Sequence, residues 1–141
     1  MNEDNRPLFP QSAVIPFQTR GGKPEILLVT TRSRKHWTIP KGLVDPGFSE
    51  REAAEAEALE EAGIEGDISS RPVGEFEYRK WGGLCRVMVF LMRVTTIHPE
   101  WLEDDFRERR WWPFDAAADV VPYPALRVLL RRLPELIQAR F

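Results

Sequence analysis

The stretch from Gly42 to Ile64 constrains the chain most, because it combines a glycine loop, a helix start and clustered acids. Ser49 can accept a hydrogen bond from a first-turn amide, and Glu52, three residues later, can reach back to the Ser49 backbone. Gly63 suits the left-handed conformation that ends many helices. The pattern therefore predicts a helix from Ser49 to Gly63 with a glycine-containing loop in front of it.

The acids of this helix are predicted to share one face. At 100° per residue, an arc about 100° wide holds four of them: Glu50, Glu57, Glu60 and Glu61. The last three have no Lys or Arg within reach on the same helix, and two carboxylates about 6 Å apart repel by roughly 3 kcal/mol at an effective dielectric near 20. Such a face is either solvated or recruits a hard cation such as Mg²⁺, which binds carboxylates, waters and phosphates.

The segment resembles the signature of the Nudix hydrolases, a loop, helix and loop with conserved spacing. Six residues fall in register with that signature: Gly42, Glu57, Glu60, Glu61, Gly63 and Ile64. Ile39-Pro40-Lys41 precedes the first glycine, as it often does in the family. Two positions depart from the signature, since Phe48 stands where the first Glu belongs and Ala56 where the Arg belongs.

Size and composition are consistent with one domain. The chain has 141 residues, 43% of them hydrophobic, which is ample for a single core. We predict a flexible N-terminal tail over residues 1–11, where two prolines oppose regular structure, and one Nudix domain over residues 12–141. The mixture of strands and helices indicates an α/β fold. The resemblance implies an α/β/α sandwich with a mixed sheet.

Three local patterns predict further elements. Residues 25–32 read as a central strand, and a polar connection is expected between Ile64 and Pro72. Residues 73–81 and 84–94 read as a hairpin that turns at Gly82-Gly83. A terminal helix is expected from Pro124 onward, kinked or divided at Pro134.

Charge and cysteine content exclude several classes of function. A net charge of −2 gives no general basic field for nucleic acid. The single Cys85 excludes an intramolecular disulfide and a cysteine-cluster metal site. No apolar run is long enough for a membrane span, and the polar, acidic start is unlike a signal peptide. We therefore expect a cytoplasmic protein that binds neither nucleic acid nor membrane; a homodimer is left open.

The resemblance implies a chemistry and a set of site residues. Nudix enzymes typically hydrolyse a diphosphate linked to another group, with Mg²⁺ or Mn²⁺ as cofactor. Carried over from the motif, Glu57 and Glu61 should hold the metal, Glu60 should assist, and Gly42 should let the loop pass close to the metal. Glu57, Glu60 and Glu61 are the expected catalytic residues. Either Glu57 or an acid from another loop should deprotonate the attacking water.

Phosphate groups of the substrate need cationic partners outside the acidic face. We predict four substrate-binding residues: Arg32, Arg34, Lys41 and Arg79. The planar guanidinium suits phosphate oxygens, although any one such residue is more often a solvated surface charge. Lys41 is the strongest candidate because it abuts the predicted metal loop.

Other residues have both a functional and a structural interpretation. Glu50 could partly replace the acid missing at Phe48, or it could simply favour the positive end of the helix dipole. The acidic run 103–105 could supply a distal ligand or base, or it could be a solvated loop. Trp37 and Trp111-Trp112 could stack on a nucleobase, but packing in the core is the simpler interpretation.

The leading interpretation is a divalent-metal-dependent hydrolase of a phosphoanhydride. Pro-Lys-Gly followed by Asp-Pro-Gly resembles the Nudix branch that acts on diadenosine or diphosphoinositol polyphosphates. The alternative is a Nudix-fold module that binds a nucleotide or phosphorylated metabolite and has been catalytically weakened by Ala56 and Phe48. Both interpretations take a small phosphorylated molecule as partner.

Overall fold

The computed structural model describes residues 6–141. Within them, one mixed sheet contains eight strands: β1 (Leu8–Arg20), β2 (Lys23–Thr30), β3 (Trp37–Thr38), β4 (Lys41–Leu43), β5 (Ile64–Ile68), β6 (Gly74–Lys80), β7 (Gly83–Ile97) and β8 (Arg109–Pro113). The same range contains four α-helices: α1 (Glu50–Glu57), α2 (Phe114–Val120), α3 (Pro124–Arg131) and α4 (Leu133–Arg140). Within these residues, no helix has the length and apolar character needed to cross a membrane.

The predicted N-terminal tail is wrong for residues 8–11, which belong to β1. Leu8 pairs with Leu84 in a parallel ladder between β1 and β7 that continues to Phe17 opposite Arg93. Gln11 is buried, so this part of the chain is integral to the sheet. Pro10 lies within this ladder opposite Arg86, and its carbonyl accepts a hydrogen bond from the Val44 amide at 3.1 Å. Residues 1–5 of the predicted tail lie outside the described residues.

The order of the strands produces the mixed sheet that was predicted. The main path runs β3-β2-β1-β7-β5, while β8 pairs with β2, β4 with β1 and β6 with β7. Among the described strand pairs, β1 and β7 run parallel and the others antiparallel. The short β4 brings the loop before α1 against the centre of the sheet.

Alternating side chains on the central strands fill two cores, one on each face of the sheet. On β1, Ile15 belongs to the core beneath α2, α3 and α4, whereas Val14 belongs to the core beneath α1. On β2, Leu28 and Leu27 divide in the same way. This period of two, with apolar residues on both faces, is expected for strands covered on each side. The α/β/α sandwich is therefore confirmed.

Two predicted elements are confirmed with shifted bounds, and one is wrong. The β6–β7 hairpin turns on Trp81 and Gly82, whose φ angles are 55° and 68°, one residue earlier than predicted. The terminal helix divides into α3 and α4 next to Pro134. The polar connection after Ile64 is instead β5, antiparallel to β7, because Ile64 and Ile68 are buried while the acids between them face outward.

Candidate active site

The helix of the acidic segment begins as its sequence predicts. The Ser49 hydroxyl accepts a hydrogen bond from the Glu52 amide at 3.1 Å, and the Glu52 carboxylate accepts one from the Ser49 amide at 2.9 Å. This reciprocal capping box satisfies two amides that the helix leaves unpaired. The helix ends at Gly63 in the left-handed conformation, with φ 66°.

Between these ends the helix is not regular. Residues 58–62 form a π-helical turn after α1. Hydrogen bonds in a π turn span five residues instead of four, so the turn is wider and changes the angular spacing of its side chains. The prediction of four acids on one arc assumed regular α-helical spacing, and neither Glu50 nor Glu60 lines the cavity that Glu57 and Glu61 share.

Glu57 and Glu61 point into the same cavity, but Glu60 does not. The cavity has a volume of about 420 Å³ and is also lined by Glu103, from the loop before β8. Glu60 instead lines a separate depression that contains Trp101. The structure therefore brings together two of the three predicted catalytic acids and one member of the acidic run 103–105.

Glu61 is held from both sides of its carboxylate. It is 7% exposed. Its Oε1 accepts a hydrogen bond from the Lys41 amide at 3.1 Å, and its Oε2 accepts one from Arg107 Nη2 at 3.2 Å. Burial raises the pKa of Glu61 to about 7, although the Arg107 charge opposes that shift.

Glu57 lies against the backbone of β4. A Cβ atom built on Gly42 would overlap the Glu57 carboxyl group, so only glycine leaves this side chain in its place. Burial, followed by repulsion from Glu61, raises the pKa of Glu57 to about 8. The loop glycine and the carboxylate therefore pack together, and the role of Gly42 beside a metal stays a prediction.

Cationic side chains also line the cavity. Lys41 and Arg32, both predicted from the sequence, are among them, together with Lys80. The Lys41 ammonium lies 4.9 Å from the centre of the Tyr78 ring, and burial lowers the pKa of this amine. The cavity thus places positive charge beside the carboxylates, as a site for a phosphorylated ligand requires.

The other two predicted substrate-binding residues lie outside this set. Arg34 donates to the Asp105 carbonyl at 3.2 Å and lies 3.9 Å from the Glu108 carboxylate, away from the cavity. Arg79 lies between Tyr78 and Lys80 on β6, and those two neighbours line the cavity. Because successive strand residues point to opposite faces, Arg79 points away and Lys80 takes the place predicted for it.

The structure favours the structural interpretation for most of the remaining candidates. Glu50 is exposed in the first turn of α1 and does not line the cavity. Trp37 and Trp112 pack edge to face, 5.4 Å between ring centres, against the core under α2 to α4. Trp111 packs against the other core. Trp81, which the sequence prediction did not single out, lines the cavity and is 53% exposed.

The carboxylates of the cavity suit a hard divalent cation whose remaining ligands are waters or substrate phosphates. Across residues 6–141, no three Asp, Glu, His or Cys side chains converge closely enough to form a metal cluster by themselves. Mg²⁺, however, is commonly bound by one or two carboxylates together with waters and substrate phosphates. Glu57 and Glu61 offer such a pair, and the missing side chain at Gly42 leaves the loop close to them.

Comparison with known proteins agrees with this geometry. The family model of the NUDIX domain matches residues 8–133. The chain belongs to the Nudix family. The matched range starts at the first residue of β1, which supports placing residues 8–11 inside the Nudix domain.

Relatives of this Nudix chain differ in the substrates that their names give. Nudix hydrolase 12, mitochondrial, of Arabidopsis thaliana is 33% identical over 72% of this chain and 54% of its own length. Bis(5'-nucleosyl)-tetraphosphatase [asymmetrical] of Sus scrofa is 30% identical over 75% of each chain. Diphosphoinositol polyphosphate phosphohydrolase 3-beta of Bos taurus is 34% identical over 69% of this chain and 60% of its own. The Nudix chain spans about half to two thirds of the first relatives that it matches.

A solved structure shares the fold of this Nudix chain over nearly its whole length. The C. elegans Ap4A hydrolase, as a binary complex, superposes with a TM-score of 0.79 at 26% identity, covering 93% of this chain and 98% of that one. The two departures from the Nudix signature do not line the cavity. Phe48 is 49% exposed, and Ala56 lines a shallow depression with Met92.

Arg107 is a further site residue that sequence reasoning missed. It is buried, and it bonds both Glu61 and Glu103. The available signal was local, since Glu103 and Arg107 are four residues apart and of opposite charge, a spacing at which side chains pair on a helical turn. Its second partner, 46 residues earlier, carries no such signal.

Proposed function

We propose that this Nudix chain hydrolyses a diphosphate linked to another group, in the cavity that contains Glu57 and Glu61, with Mg²⁺ or Mn²⁺ as cofactor. The observation that carries the proposal is the meeting of these carboxylates with Arg32, Lys41 and Lys80 in one cavity. Carboxylates recruit the cation, and the three cationic side chains neutralise phosphate oxygens.

Glu57 and Glu61 would hold the cation, and Gly42 would let it approach the loop. When bound, the cation polarises the phosphoryl group and neutralises the charge that develops on it. Glu61 is already oriented by the Lys41 amide and by Arg107. Glu60, which the sequence predicts as an assisting ligand, lies outside the cavity and contributes its charge from a distance, since it raises the pKa of Glu57.

Two acids can take the proton of the attacking water. Glu57 and Glu103 both line the cavity, and Glu103 accepts from Arg107 through Oε1, which leaves its Oε2 for a water. General bases contribute roughly 10²- to 10⁴-fold to a rate. Glu57→Gln and Glu103→Gln, each measured at saturating metal, assign the role to the acid whose loss lowers kcat more.

Among diphosphate substrates we propose a diadenosine polyphosphate first. The tetraphosphatase of Sus scrofa and the Ap4A hydrolase of C. elegans are the relatives that support this choice. The exposed Trp81 ring at the cavity, with the Lys80 ammonium 4.7 Å from its centre, offers an aromatic face to a base beside a charge for phosphate. A diphosphoinositol polyphosphate is the second candidate, supported by the Bos taurus relative.

The test is a substrate panel with each metal. We expect phosphate or nucleotide release from a diadenosine polyphosphate with Mg²⁺ or Mn²⁺, and a loss of at least about 100-fold in kcat for Glu57→Gln and Glu61→Gln. Glu55→Gln is the matched control, because Glu55 lies on α1 but is exposed and outside the cavity.

A binding module is the second candidate function, and one observation favours it. Arg107 already neutralises Glu61, which weakens the electrostatic demand for a cation at that residue. In that case the panel would show saturable binding of a phosphorylated ligand, no product with any metal, and no difference between Glu57→Gln and Glu55→Gln.

The cytoplasmic location stays a prediction, and a homodimer stays open.

A further inference from the structure

The guanidinium of Arg107 organises one wall of the cavity. It is 9% exposed and directs three nitrogens at three different acceptors. Nε donates to Glu103 Oε1 at 2.6 Å, Nη1 to the Thr30 carbonyl at 2.8 Å, and Nη2 to Glu61 Oε2 at 3.2 Å. One side chain therefore ties two carboxylates of the cavity to the backbone at the end of β2.

The orientation of this guanidinium is set by the backbone around it. The Thr30 carbonyl belongs to the sheet, and the Arg107 amide donates to the Glu103 carbonyl at 3.1 Å, so both ends of the side chain are anchored. The Phe106 ring lies 5.9 Å from the guanidinium carbon. The guanidinium is therefore fixed to the main chain at the end of β2 as well as to the two carboxylates.

The acidic helix itself supplies no equivalent donor. The Nudix signature carries an Arg at the position of Ala56, and here that position faces a depression with Gly66 and Met92, not the cavity. Arg51, the basic residue of α1, bonds the carbonyls of Ile68 and Ser69. The orientation of Glu61 therefore comes from outside its own helix.

We propose that Arg107 is a positioning residue, which holds Glu61 in the orientation that binds the divalent cation and keeps Glu103 beside it. This proposal rests on the proposed function, because the cation that Glu61 binds is the one that serves hydrolysis. Its direct consequence is a change in metal affinity. Partners that orient metal ligands typically change metal affinity or activity by about 10- to 100-fold when they are removed.

Arg107→Lys separates positioning from charge. Lysine keeps the positive charge, so the electrostatic field on the cation is nearly unchanged. Its single ammonium cannot reproduce the planar fork that reaches three separated acceptors. If Arg107 only neutralises charge, lysine should suffice; if it positions carboxylates, lysine should fail.

The matched control is Arg109→Lys. Arg109 lies two residues further along the chain, and it bonds the carbonyls of Ala62 and His98 at 2.8 and 2.7 Å, outside the cavity. Its replacement removes bonds of similar number and length. Mn²⁺ binding is measured by calorimetry on folded wild type and both variants. We expect the dissociation constant to rise about 10- to 100-fold in Arg107→Lys, and to stay at the wild-type value in Arg109→Lys. Equal affinities in the two variants would overturn the proposal.

A second measurement needs no variant and decides the question if Arg107→Lys fails to fold. In the NMR spectrum of the wild-type protein, the Arg107 Nε–H should exchange slowly with water, and should still do so after Mg²⁺ is added. Fast exchange after Mg²⁺ addition would mean that the cation displaces Arg107, which contradicts positioning. Wild-type protein that binds Mn²⁺ but hydrolyses no diphosphate refutes the proposed function alone; one that binds no Mn²⁺ refutes both.

Discussion

Gly42→Ala should abolish the site while leaving the fold intact. The new Cβ would lie 2.5 Å from Glu57 Oε2 and closer still to the rest of the carboxyl group. Non-bonded heavy atoms settle at about 3.5–4.0 Å, so the carboxyl group must move by at least about 1 Å. Glu57 is the far end of a flexible side chain, and it can swing toward the cavity without displacing the sheet.

The expected losses differ greatly between activity and stability. A displacement of about 1 Å in a catalytic group can cost about 100-fold in rate, and we expect at least that loss in kcat/KM. The φ angle of Gly42 is not in the left-handed region, and replacing glycine by alanine at a compatible position restricts the unfolded chain by about 0.4–1 kcal/mol. The free energy of unfolding should therefore change by less than about 1 kcal/mol.

Gly74→Ala is the matched control. Its Cβ would lie 2.7 Å from Leu129 Cδ2, outside the cavity, so it crowds the apolar core. Overpacking of this kind costs about 1–3 kcal/mol of stability. Urea unfolding and steady-state hydrolysis are measured on both variants. Gly42→Ala should lose kcat/KM and keep its stability, whereas Gly74→Ala should lose stability and keep its kcat/KM. A Gly42→Ala variant with wild-type kcat/KM would refute the reasoning, because Glu57 would then act from a displaced position or not at all.

Three further outcomes follow from the structure. The pKa values of Glu57 and Glu61 are raised, so at a pH between their ordinary and raised pKa values the metal-free folded state binds more protons than the unfolded state. The Tm of the metal-free protein should therefore fall as the pH rises from about 5 to about 8. Calorimetric scans of Glu57→Gln should show a smaller fall. Lys80→Ala should raise KM for a diphosphate by about tenfold, consistent with a lost charge-assisted contact of about 1.5 kcal/mol, whereas Arg79→Ala should leave KM unchanged in the same assay. Leu130→Ala should cost about 2–5 kcal/mol in urea unfolding without changing Mn²⁺ affinity, since Leu130 is fully buried under the sheet and outside the cavity.

Local chemistry made the ends of the acidic helix predictable from the sequence. Ser49 with Glu52 at one end, and Gly63 at the other, act over three or four residues and need no knowledge of the rest of the chain. The hairpin was also predictable, but its turn was placed one residue too late, at Gly82-Gly83 instead of Trp81-Gly82. The pairing of Lys80 with Gly83 leaves Trp81 and Gly82 as the two turn residues.

The remaining site residues depended on the fold. The π turn moved Glu60 out of the cavity, and nothing in the local sequence distinguishes Glu60 from Glu61. Side chains alternate between the two faces along β6, so Lys80 lines the cavity and Arg79 does not. Arg107 reaches Glu61 across 46 residues of chain, a contact that only the assembled sheet creates.

The central claim is that Glu57 and Glu61 together hold a divalent cation in this cavity, and an anomalous difference map from a crystal soaked in Mn²⁺ tests it most directly. The account predicts one strong peak within coordination distance of both carboxylates, beside the Gly42 backbone. A map without a peak there, with Glu61 bonded only to Arg107 and the Lys41 amide and with Glu57 turned toward solvent, would contradict it.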